Sequence, residues 1–345
     1  MSGTHPFLDA LWKRGCGFLG VDLAIMGGAM TWVSERTLVS AISNSGGFGV
    51  LASGSMLPEL LDAEIAATKA LTSKPFGVNI IVMHPRLEEL IQVCARHNIG
   101  HVVLAGGLPP SSAIEAVKAW GGRVMAFAPA LVAARRLVRM GVDALVIEGA
   151  EAGGHIGPVS TSVLAQEILP EIREIPVFIA GGIGHGEAIA AYLSMGAAGV
   201  QLGTRFVCAA ECIAHPSFKK AFLQANARDA VPSVQVDPRF PVIPVRAIAN
   251  GATRRFMEAQ REIITRHDRG ELTLKEAQLE IEHFWAGSLR RAVVDGDVEN
   301  GSLMAGQSVG MVTKEQPVSV IMAELVGQTE AALGRRFAAA LPAGD

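Results

Sequence analysis

The chain has 345 residues, half of them hydrophobic and 18% charged, with a formal net charge of −3. A chain of this size buries one large core, either as two ordinary domains or as a single α/β barrel with an appendage. The near-balanced charge excludes the whole-molecule field on which nucleic-acid and membrane-surface binders rely.

In chain order, apolar runs at Leu23–Met26, Phe48–Leu51, Gly77–Val82, His101–Leu104, Val124–Phe127, Ala144–Ile147, Val177–Ala180 and Gly199–Gln201 predict eight strands. They are continuously apolar instead of alternating, as strands of a parallel sheet covered on both faces should be. Amphipathic stretches between them predict helices at Ser34–Asn44, Pro58–Leu71, Leu87–Asn98, Ser111–Trp120, Leu131–Met140, Val163–Ile172 and Glu187–Met195. Repeated βα units fit either a closed barrel or an open doubly wound sheet. Glycines decide for a (β/α)8 TIM barrel, because they cluster after several strands, at Gly106–Gly107, Gly149–Gly157, Gly181–Gly186 and Gly203. In a barrel those loops converge on one face, whereas an open sheet would show one glycine-rich loop after its first strand.

Beyond Phe206 the rhythm changes. Polar segments with helical patterns at Thr253–Arg266 and Leu274–Phe284 predict an inserted helical lid, and Val318–Phe337 predicts a helix packed back on the barrel. The expected organisation is a barrel over 1–215, a lid or small domain over 216–300, and a C-terminal segment over 301–345. Four cysteines (Cys16, Cys94, Cys208 and Cys212) show no paired spacing and read as reduced thiols. Without a signal-peptide layout or an apolar run of membrane-spanning length, a cytoplasmic, non-membrane protein is expected.

The loops after the seventh and eighth strands carry Gly181, Gly182, Gly203 and Thr204. Loops at these positions in a barrel commonly hold a phosphate, through N–H groups that glycine frees. After the sixth strand comes E-G-A-E-A-G-G-H-I-G, which places His155 beside Gly153 and Gly154 at the barrel mouth. An imidazole there can exchange a proton at neutral pH. No histidine pair shows metal-ligand spacing, so no metal is expected. The first strand runs into G-G-A-M with Met30, N-S-G-G-F-G precedes the second, and K-P-F-G-V-N brings Asn79 to the third.

Together these motifs, in this order over about residues 25 to 206, resemble the nitronate monooxygenase (2-nitropropane dioxygenase) superfamily, which includes the flavin-dependent enoyl-acyl-carrier-protein reductases. A further resemblance runs over about residues 245 to 312, through V-R-A-I and G-D-V-E-N-G-S-L-M-A-G-Q-S-V-G. The resemblance implies FMN at the barrel mouth, its ring against Met30 and Asn79, its phosphate on Gly181, Gly182, Gly203 and Thr204. It implies His155 as the catalytic residue, bordered by Gly153 and Gly154, with Gln307 closing the site. The first reading of the activity is oxidation of an alkyl nitronate with O2. The alternative is an NADH- or NADPH-dependent enoyl-thioester reductase, whose carrier protein would dock on lid arginines such as Arg254, Arg266 and Arg290. A third reading is a non-flavin lyase or isomerase acting on a phosphate ester. Met56, Leu57 and Leu60 read either as the contact of a homodimer or as core.

Overall fold

The computed structural model describes residues 8–240, 244–284 and 287–340. In chain order the strands are β1 (Ile25–Gly27), β2 (Gly49–Ala52), β3 (Phe76–Ile81), β4 (His101–Ala105), β5 (Arg123–Phe127), β6 (Ala144–Glu148), β7 (Gly154–His155), β8 (Val177–Ala180), β9 (Gly199–Leu202), β10 (Ala230–Pro232) and β11 (Val245–Ile248). Eight of them form one parallel sheet in the order β1-β9-β8-β6-β5-β4-β3-β2. The ring closes between its outer members, where Gly27 N–H donates to Phe48 O and Phe48 N–H to Ile25 O, each at 2.9 Å. This is the expected TIM barrel.

The continuous hydrophobicity of the strands follows from two cores sharing one sheet. Met26, Phe48, Val50, Val103, Met125, Val146 and Phe178 fill the barrel interior. Their neighbours, among them Ile25, Leu51, Val102, Leu145 and Ile179, face the helical layer. The helix Lys13–Leu19 seals the end of the barrel opposite the glycine loops, with Leu19 in the interior cluster. A Cβ at Gly15 would lie 1.9 Å from Ala198 O, so only glycine allows this approach. His101 sits between the Phe18 and Phe48 rings and hydrogen bonds Phe18 O at 2.8 Å. Burial lowers its pKa to about 4, so it is a neutral structural histidine.

The eighth βα unit is split. After β9 the chain makes a one-turn helix (Thr204–Val207), leaves the barrel, and returns with Val318–Ala340. That last helix packs chiefly against Gly186–Ser194 and also against Arg36–Asn44, filling the eighth place in the helical ring. The intervening segment holds the helices Gly251–Asp268 and Leu274–His283 around their own core of Phe240, Phe256, Ile263, Ala277 and Ile281. It also holds an unforeseen element, an antiparallel sheet β10-β11-β7 that joins the lid to a barrel loop. Leu57 and Leu60 are exposed, which removes the core reading for both, while Met56 is half-buried against the core. Among the described residues, no helix is long and apolar enough to cross a membrane.

Candidate active site

The loops after the strands open into one cavity of about 1100 Å3, roofed by lid residues Ile281, Leu289 and Arg290. Met30, Asn79, Gly153, Gly154, His155, Gly181, Gly182, Gly203 and Thr204 all line it. Gln307 does not: its N–H donates to Glu151 O at 2.9 Å, and Met304, Gly306 and Ser308 supply the lining at that edge.

One part of the cavity wall presents backbone N–H groups and a hydroxyl without acceptors. Gly181 and Gly182 have φ of +92° and +73°, the left-handed region that glycine alone enters freely. The N–H groups of Gly182 and Ile183 donate to no acceptor among the described residues. Thr204 Oγ1 accepts from Gly306 N–H at 2.9 Å and keeps its own proton to donate. The first N–H groups of the turn that Thr204 opens have no partner within that helix.

The histidine loop is held from both sides. On the barrel side, Glu151 Oε2 accepts from Thr161 N–H at 2.8 Å and from its hydroxyl at 2.9 Å, capping the helix Thr161–Ile168. On the lid side, β7 pairs with β11, placing His155 opposite Val245 and Gly154 opposite Arg246. A Cβ at Gly153 would fall 2.6 Å from Ala305 C and Gly306 N, so no side chain fits there. The His155 imidazole is open to the cavity and makes no hydrogen bond among the described residues. Protein surrounding the cavity still displaces bulk water around it, and this desolvation lowers its pKa below the ordinary 6.5.

Three polar side chains interrupt otherwise apolar strands, in their C-terminal halves. Asn79 is buried and gives Nδ2 to Val103 O at 3.0 Å, leaving Oδ1 as an acceptor. Gln201 and Glu148 also line the cavity and were not singled out as ligands from sequence, although the polar break toward the C-terminal end of each strand is a legible signal. Burial raises the Glu148 pKa to about 8. The folded chain therefore keeps a proton that the unfolded chain releases above its ordinary pKa, so this contribution is full at low pH and fades as pH rises toward 8. Accordingly, the Tm of the protein is expected to fall between about pH 5 and 8, and Glu148→Gln to flatten that slope. Identical slopes in the two proteins would show that the carboxyl is hydrated and unshifted.

One stretch of the cavity lining is apolar. Val103, Ala105, Leu108, Phe127, Ala133 and Leu137 form it across β4, β5 and the helix Leu131–Arg139. Above it Trp32, at φ +68°, lies 5.8 Å beneath the Arg290 guanidinium. Three of the lid arginines are ion-paired, while Arg255, Arg261 and Arg291 have no carboxylate partner among the described residues. Arg254 pairs with Glu299 at 3.0 Å, Arg266 with Glu280 at 2.8 Å and Arg290 with Asp295 at 3.1 Å.

The family model described as nitronate monooxygenase matches residues 14–104 and 88–328. A (3aS,4S,5R,7aS)-5-hydroxy-7a-methyl-1-oxo-octahydro-1H-indene-4-carboxyl-CoA dehydrogenase of Mycobacterium tuberculosis is 36% identical over 64% of this chain, which spans 62% of that relative's length. A nitronate monooxygenase of Paraburkholderia phytofirmans is 30% identical over 68% of this chain and 76% of its own. Among solved structures, FabK from Thermotoga maritima superposes with a TM-score of 0.86 at 34% identity, covering 94% of this chain and 98% of that one. On the family match, which takes in both the barrel and the lid, the chain belongs to the nitronate monooxygenase family of flavin-dependent oxidoreductases.

Proposed function

We propose that this enzyme binds FMN and reduces the α,β double bond of an enoyl thioester, with NADH or NADPH as the two-electron reductant. The residues present fit the cofactor. Gly181, Gly182, Gly203 and Thr204 offer glycine-freed backbone and a hydroxyl for its phosphate, and Glu148, Asn79 and Gln201 offer polar groups for its polyol and ring edge. When bound, FMN supplies the two-electron transfer. His155 handles the proton at the substrate's α-carbon, and desolvation in the cavity lowers its pKa.

The observation that carries the thioester reading is the apolar stretch of the cavity lining from Val103 to Leu137. At about 1100 Å3 the void exceeds the roughly 300–1,000 Å3 of ordinary small-molecule sites. The apolar stretch has no charged lining residue. A small nitronate has no use for it, whereas an acyl group packs against it. Ala133→Phe, which narrows the cavity there, is expected to lower kcat/KM for dodecenoyl-CoA about 10- to 100-fold while crotonyl-CoA is nearly unaffected. Equal losses on both thioesters would move the acyl group elsewhere.

A second reading, oxidation of an alkyl nitronate by O2, is favoured by the family model and the Paraburkholderia relative. The two readings separate in an anaerobic cuvette. Bleaching of the flavin band by NADH or NADPH, with recovery on adding crotonyl-CoA, supports the thioester reading. Bleaching by ethyl nitronate alone supports the other. With Arg254, Arg266 and Arg290 each paired to a carboxylate, these three arginines do not favour an acidic carrier protein over a coenzyme A ester.

A further inference from the structure

Arg246 lies on β11, the middle strand of the sheet that joins lid to barrel, and is 7% exposed. Its Nε donates to Ala150 O at 2.8 Å and its Nη1 to Ala230 O at 2.6 Å. No carboxylate lies within ion-pairing distance among the described residues, and Arg246 does not line the cavity. Burying a guanidinium without an ion pair is costly, and burial here outweighs the longer-range attraction of Glu151 and lowers its pKa. Neither a ligand nor a salt bridge accounts for that cost. What the side chain does is hold two main-chain carbonyls, one on either side of its own strand.

Those two carbonyls belong to the pieces that must stay in register for His155 to be placed. Ala150 stands at the start of the histidine loop, and Ala230 is on β10 in the lid. The next residue along β11 from Arg246, Val245, faces His155, and Ile156 N–H donates to Pro244 O at 2.9 Å. Because the imidazole has no hydrogen bond of its own among the described residues, its placement depends on how firmly the loop backbone beneath it is held. From the barrel side the loop is fixed by Glu151 on Thr161; from the lid side it is fixed by this arginine. We propose that Arg246 is a positioning residue that locks the His155 loop to the lid strand, so that the proton-handling imidazole and the cavity roof move as one body. An arginine suits the task because its planar fork donates in two directions, whereas lysine offers one compact charge.

The inference rests on the reading of His155 as the proton-handling group, and the test separates the two. Full-length Arg246→Met, Arg246→Lys and His155→Ala are loaded with FMN, and flavin content, kcat, KM and hydrogen exchange over residues 149–157 are measured. The substrate is crotonyl-CoA with NADH or NADPH, or ethyl nitronate with O2, according to which the wild type turns over. Arg246→Met is expected to retain flavin and lose about 10- to 100-fold in kcat with KM changed less than about threefold. Exchange should quicken in the histidine loop and not in the barrel strands. Arg246→Lys should recover part of kcat, because one carbonyl is still held. A kcat within about twofold of wild type in both variants overturns the proposal, as does a loss that tracks lost flavin. If Arg246→Met does not fold, Arg246→Lys decides by the same two criteria. If His155→Ala keeps its turnover, the functional reading fails. If it loses turnover while both Arg246 variants keep theirs, only the positioning role fails.

Discussion

Replacing His155 with alanine is expected to lower turnover by about two to four orders of magnitude while FMN remains bound. The two halves of that result come from different parts of the site. His155 reaches the cavity from β7 on the histidine loop, while the phosphate-fitting groups stand on the loops after β8 and β9. Nothing hydrogen bonds to the imidazole among the described residues, so its loss leaves no buried partner unsatisfied. The pH profile of the wild type then reports the direction of proton transfer. Desolvation places the His155 pKa below 6.5. A group acting as base must be neutral, so kcat/KM would hold at neutral pH and fall as pH drops through that pKa. A group acting as acid must be protonated, so kcat/KM would fall as pH rises through it. Whichever limb appears should be absent from the residual activity of His155→Ala. If flavin is lost along with activity, His155 belongs to cofactor support and not to chemistry.

The second large effect is expected at Gly182, where valine should yield a folded but colourless protein. With φ at +73° any L side chain there is strained, by about 1–2 kcal/mol, and a β-branched one by more. A Cβ would also stand 3.0 Å from the Glu151 Cβ. Relief requires the loop to turn, which swings the Gly182 and Ile183 N–H groups away from the place a phosphate would occupy. Glu151 is pushed at the same time, and it caps the helix Thr161–Ile168. Against the roughly 5–15 kcal/mol of a typical domain, this strain leaves the fold standing. The flavin absorbance per chain is the measurement, with circular dichroism as the check on folding. Wild-type flavin content in Gly182→Val would put the phosphate elsewhere in the cavity.

All eight barrel strands were legible in the sequence because each is a short run buried on both faces, and several are broken by glycine where the loop begins. Helix boundaries followed to within a few residues, since chemistry such as Asn98–Ile99–Gly100 stops a helix locally. The three-stranded sheet was not legible. Its members are two to four residues long, and β7 pairs with β11 across more than eighty residues of intervening chain, which no local pattern can report. Arg246 was hidden for the same reason, since inside V-R-A-I it reads as an ordinary surface arginine. The lid arginines were legible only as charges: the pairing of Arg254 with Glu299 and of Arg266 with Glu280 joins residues too far apart in sequence for a local pattern to report. Glu148 and Gln201 were within reach, each being a lone polar group near the end of an apolar strand, and Gln201 sat inside a motif read for its glycines.

Splitting the eighth βα unit also sets an order in time. The ribosome releases β9 and the turn at Thr204 long before it makes Val318, and everything from Cys208 to Pro317 must be threaded out in between. At the usual 5–20 residues per second that interval is on the order of ten seconds. Throughout it the growing chain has all its barrel strands but only seven helices around them, with an apolar seam open between Arg36–Asn44 and Gly186–Ser194. The lid, with a core of its own, has that interval in which to collapse separately before the last helix shuts the wall. A cell making this protein quickly therefore depends on something to shield the seam, and its yield should respond to chaperone supply more than that of a barrel whose eighth unit is unbroken.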